Sequence, residues 1–70
     1  MAHPERERRG RLLMDDRHLR IERRAVEYAI MHGQFNGEEE RLNLLEDTRR
    51  LTGMIERTDA KLQLIYSQYD

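Results

Sequence analysis

The sequence has no cysteine, a single proline and four glycines in 70 residues. Without cysteine, neither a disulfide nor a thiolate-ligated metal can staple the chain. So few breakers, with abundant Arg, Glu and Leu, favour long helices over strands. No apolar run approaches the roughly 20 residues that span a bilayer. The charged N-terminus argues against a secretory signal, so a cytoplasmic protein with no membrane partner is expected. Apolar residues are scarce too: 37% of the chain, against 39% charged. One small domain of this kind is marginal alone, and a second copy or another protein is the remaining source of buried area.

A net charge of −1 conceals an asymmetry. Met1 to Gly33 carries eight Arg and six acids, whereas Gln34 to Asp70 carries five basic residues and eight acids. This difference could orient an antiparallel pairing of segments or steer a partner.

The first stretch, MAHPERERRGRLLM, reads as a charged arm over 1–14, either flexible or carrying a short helix. Pro4 can open a helix, Gly10 weakens it, and Leu12, Leu13 and Met14 come only at its end. The segment 15–70 reads as the folded unit. DDRHLRIERRAVEYAIMHG predicts a helix over 17–32, capped by Asp15 or Asp16. Leu19, Val26, Ile30 and Ala29 share a face, with Ile21, Ala25 and Tyr28 beside them. Gly33 suits the left-handed position after a helix end.

GQFNGEEE then joins a helix stop to a helix start. Asn36 and Glu39 have capping-box spacing, Glu38, Glu39 and Glu40 suit the positive end of a helix dipole, and Phe35 is placed to meet Leu42. A second, long helix is expected over 38–68, interrupted only by Gly53. Its seam is Leu44, Thr48, Leu51, Ile55, Thr58, Leu62, Ile65 and Tyr69, alternating steps of four and three in the heptad manner. About 31 residues would reach ~46 Å, beyond the first helix. The seam is therefore expected to be a dimer interface, making the chain an all-α helical hairpin that pairs through its second helix; the alternative is a monomeric hairpin whose far end frays.

The segment from Ile21 to Asp70 resembles the C-terminal part of MerR-family transcription regulators. The similarity rests on a helix ending in a polar, Gly-containing loop and on the run Glu40, Arg41, Leu42, Leu44, Leu45, Glu46. It continues through Ile55, Leu62, Ile65 and the closing Tyr69. The resemblance implies that Leu44, Leu51, Ile55, Leu62 and Ile65 pair with a twofold mate in an antiparallel coiled coil. The departures matter as much. Met1 to Arg20 is too short for the family's winged helix-turn-helix and the 70 residues hold no metal-sensing cysteines, so neither DNA reading in the family's manner, nor metal sensing, nor an effector domain beyond the coiled coil is expected.

Other constellations are weak. Arg6 to Arg24 holds eight Arg and four acids, which could grip phosphates, but no aromatic interleaves the run. His3, His18 and His32 are too scattered for a metal set, and His18 with Glu22 reads as a surface pair. Glu46 with Asp47, or Glu56 with Asp59, would need a desolvated pocket to act as acid and base, which a hairpin offers poorly. Tyr66 and Tyr69 read as interface packing. The expected function is that of a non-enzymatic, cofactor-free interaction protein in transcriptional regulation. It is expected to be a homodimer engaging a MerR-family or other regulator through Arg8, Arg9, Arg11, Leu12, Leu13 and Met14 of the arm. The alternatives are a small dimeric nucleic-acid binder and a phage-type inhibitor of a host protein.

Overall fold

The computed structural model describes residues 4–68. They form two helices, α1 (Pro4–Met31) and α2 (Gly37–Gln68), packed against each other as an all-α hairpin with no strand among the described residues. The body measures 53 × 18 × 14 Å. A shape two helices wide and one thick has a single line of contact, and that line contains its whole core.

Helix α1 starts at Pro4 rather than near Arg17, so the stretch read as an arm continues the first helix. Asp15 and Asp16 lie inside it and do not cap its start. Two features explain the extension. Pro4 tolerates the first helical position, and from there to Gly33 only Gly10 opposes the helix, by about 1 kcal/mol. The added turns also find cover. Leu12 is half-buried, and the Arg9 guanidinium lies 6.0 Å from the centre of the Tyr66 ring. The two helices are thus about 42 and 48 Å long. With α1 this long, α2 outruns its partner by only about 6 Å, and the length argument for a second copy weakens.

The connection follows the residues expected to make it. Gly33 has φ 64°, its N–H donates to the Ile30 carbonyl at 3.3 Å, and the Gln34 N–H donates to the Ala29 carbonyl at 2.8 Å. These crossed bonds satisfy carbonyls that the last turn leaves free, and they require the left-handed residue that glycine supplies. Gly37 is likewise left-handed, at φ 87°. At the start of α2 the Asn36 N–H donates to Glu40 Oε2 at 3.0 Å, so the returning carboxylate comes from Glu40, one residue beyond the expected Glu39.

The α2 seam faces α1 of the same chain. Leu51, Ile55, Leu62 and Ile65 are between 1% and 6% exposed, and Leu44, Thr48 and Thr58 are half-buried. Thr48 Oγ1 donates to the Leu44 carbonyl at 3.1 Å and Thr58 Oγ1 to the Met54 carbonyl at 2.9 Å. Each hydroxyl is thereby satisfied on its own helix, which is why a polar residue is tolerated in the seam. These positions were expected to form a dimer interface; in the structure they face α1 of the same chain. Tyr69, the last expected seam residue, lies outside the described residues.

The facing row on α1 is Arg9, Leu12, Asp16, Leu19, Arg23, Val26 and Ile30, all half-buried and alternating steps of three and four. Arg9, Asp16 and Arg23 recur every seven residues, so one of the two seam positions of each heptad is charged. Full burial of a Leu or Ile contributes about 1.5–3 kcal/mol. Only α2 reaches that level of burial, because the charged positions of α1 cannot close over it completely.

Candidate functional site

The residues expected to bind a partner divide between two faces. Arg8, Arg11, Leu13 and Met14 are exposed. Leu12 turns into the seam and Arg9 caps the Tyr66 ring, so these two serve the hairpin itself.

The charged positions of the α1 seam link the helices. Arg20 Nε donates to Asp16 Oδ1 at 2.5 Å, and its Nη2 donates to Asp59 Oδ2 on α2 at 2.9 Å. Arg23 Nη1 donates to Thr52 Oγ1 at 3.3 Å, while Arg23 Nε stands 3.4 Å from Glu27. Asp16 Oδ2 is buried and has no donor facing it. Asp59 is the group that can donate to Asp16 when it carries a proton. The hydrogen bond from Asp59, and then Arg20, hold Asp16 below the usual carboxylate range. The same hydrogen bond, with partial burial and repulsion from Asp16, pushes Asp59 up, against the opposing pull of Arg20. Through the Arg20–Asp59 contact the trio links the two helices. It lies too near the surface to create the desolvated environment that acid–base chemistry requires.

The side of α1 away from α2 carries a second row. Met14, Ile21 and Tyr28 recur every seven residues, Met31 follows, and these four are 51–81% exposed. The His32 ring lies against Tyr28, with centroids 4.0 Å apart. Around Ile21 the side chains of Arg17, Arg20, Arg23, Arg24 and Glu27 form a shallow groove. Arg20 and Arg23 are engaged as described. Arg17 and Arg24 form no ion pair among the described residues.

Periodicity could have found both rows. The expected apolar face of α1 was broad, joining Leu19, Val26 and Ile30 to Ile21, Ala25 and Tyr28. The hairpin buries the first set and leaves the second in solvent. The signal was the seven-residue recurrence of Arg9, Asp16 and Arg23, which continues the Leu12–Leu19–Val26 row as a seam and excludes Ile21 from it.

Comparison with protein-family models, with curated proteins and with solved structures finds no match to this chain. No helix among the described residues is long and apolar enough to cross a membrane.

Proposed function

We propose that this chain is a non-enzymatic, cytoplasmic helical interaction protein, a MerR-like hairpin module that acts in transcriptional regulation through protein–protein contact. The observation that carries the reading is the exposed row Met14, Ile21, Tyr28 and Met31, on the face of α1 turned away from its seam with α2. A compact domain of 70 residues would expose about 4,700 Å². This chain exposes 5904 Å². The excess, about 1,200 Å², is what a rod two helices wide exposes beyond a compact domain. The regulatory setting is supported by the resemblance of Ile21 to Asp70 to the MerR C-terminal region, which in that family pairs helix against helix.

The arginine groove favours a second reading, a nucleic-acid binder. Against it, Arg20 and Arg23 are neutralised by Asp16, Asp59 and Glu27. The test is capture from the native host, followed by titration of the purified chain with the captured transcription regulator. A stoichiometric complex that survives moderate salt supports the proposal. Capture of nucleic acid alone, weakening steeply with salt, would replace it with the second reading.

A further inference from the structure

We infer that the outer face of α1 is a docking strip for an acidic amphipathic helix of another protein. This deepens the interaction reading above and rests on it. Met14, Arg17, Ile21, Arg24, Tyr28 and Met31 alternate steps of three and four, the spacing a helix presents to a second helix wound along it. The strip spans about 26 Å, or some five helical turns. It lies opposite the Arg9–Ile30 row already used against α2, so a partner can settle on it without opening the hairpin.

Charge selects the occupant. The two polar positions of the strip, Arg17 and Arg24, are exposed cations without an ion pair among the described residues. A partner with carboxylates beside its apolar row would pair them at either side of Ile21. Two α1 strips laid together about Ile21 bring arginine against arginine, whereas the antiparallel register centred between Ile21 and Arg24 sets Arg17 against Tyr28, so self-association is one of the outcomes the test below separates. The exposed large apolar residues of α2, Leu42, Leu45, Leu64 and Tyr66, leave a long gap and form no row to meet the strip.

The test uses the full chain and two fluorescent probe helices of about three heptads, both with Leu at the seam positions. One carries Glu at the flanking positions and the other Lys. Anisotropy titration should show binding of the Glu probe only. Ile21→Ala and Tyr28→Ala should each weaken it about tenfold. The double change Arg17→Glu with Arg24→Glu should abolish it and admit the Lys probe. Leu64→Ala, on α2, should leave it unchanged. These side chains are exposed, so circular dichroism should show all variants folded. Equal binding of both probes, or indifference to Ile21→Ala, would overturn the inference. So would sedimentation showing a self-dimer that Ile21→Ala dissolves, since the occupant would then be a second copy. If the host regulator is captured equally by the wild type and by Ile21→Ala, the interaction reading stands and this assignment of its surface falls.

Discussion

Replacing Leu51 by Ala tests the central claim about the seam, that α2 is covered by α1 of the same chain. Leu51 is 1% exposed and is the most completely buried side chain of the hairpin. Core Leu→Ala changes cost about 2–5 kcal/mol, more where the cavity cannot close. The hairpin is only 14 Å through its thinnest dimension, so its helices can move together, and about 2–3 kcal/mol is expected. For a domain of this size each kcal/mol lowers Tm by about 4–8 °C, giving a fall of about 10–20 °C. The measurement is a thermal melt followed by helical circular dichroism, for wild type and variant, over an about hundredfold range of protein concentration. Both midpoints should be independent of concentration, because the partner of Leu51 is tethered. Leu64→Ala, at an exposed site on the same helix, should change stability by no more than about 0.5 kcal/mol. The reasoning fails if Leu51→Ala melts with the wild type. It also fails if the wild-type midpoint rises with concentration and Leu51→Ala abolishes that rise, for the seam would then lie between chains.

Gly33→Val should lower Tm by several degrees, since φ 64° forces a β-branched residue into a strained conformation; an unchanged melt would place the break between the helices elsewhere. Removing the Glu40 carboxylate with Glu40→Ala should cost a few tenths to 1 kcal/mol by freeing the Asn36 N–H, read from the same melts. The raised pKa of Asp59 gives a contribution that is complete below the ordinary carboxylate range and lost as pH rises through the raised value, whereas that of Asp16 is present above that range and lost as pH falls through its lowered value. Asp59→Asn keeps a donor for Asp16 without titrating, so Tm measured from acidic to neutral pH should lose the Asp59 decline and at neutral pH equal or exceed the wild type; a lower neutral Tm would refute the proton-sharing account. A chain beginning at Asp15 should keep the loop-proximal half of the hairpin but lose hydrogen-exchange protection near Leu62 and Ile65, which α1 residues such as Leu12 would no longer cover; full protection there would mean that the first turns of α1 are dispensable.

Much of the hairpin was legible because its strongest signals are local. Gly33, the acidic run Glu38–Glu40 and the α2 heptads each specify backbone geometry over a few residues, and each appears where expected. The first half of α1 was not legible for a tertiary reason. Its apolar content is too low to advertise a helix, and its stability comes from residues more than fifty positions away, as in the contact between Arg9 and Tyr66. Missing those turns made α1 look short, which in turn made the α2 seam look unpaired. The Asp16–Arg20–Asp59 trio was hidden for the same reason, since only the folded register brings its members together. Of the expected binding residues, Arg8, Arg11, Leu13 and Met14 are exposed, but the row to which Met14 belongs appears only once α1 is known to reach that far.

The two rows of α1 divide its side chains in an unusual way. At every seventh position the inner row carries Arg9, Asp16 and Arg23, and at every seventh position the outer row carries Met14, Ile21 and Tyr28. Exchanging these sets would give a better-covered seam and a more soluble surface. The arrangement present instead joins the helices by polar contacts and leaves the inner row half-buried, which limits the stability that burial can supply. Stability of that kind is easily shifted by binding. A partner that occupies the folded outer row at a free concentration about a hundred times its Kd would add about 2.7 kcal/mol to the hairpin. That is comparable to what Leu51 is expected to contribute from the core. A hairpin so balanced is coupled to its partner through α1, because a helix recognised on its outer face is the same helix that must stay packed on its inner one. Weakening the inner row should then weaken binding even where no inner residue touches the partner.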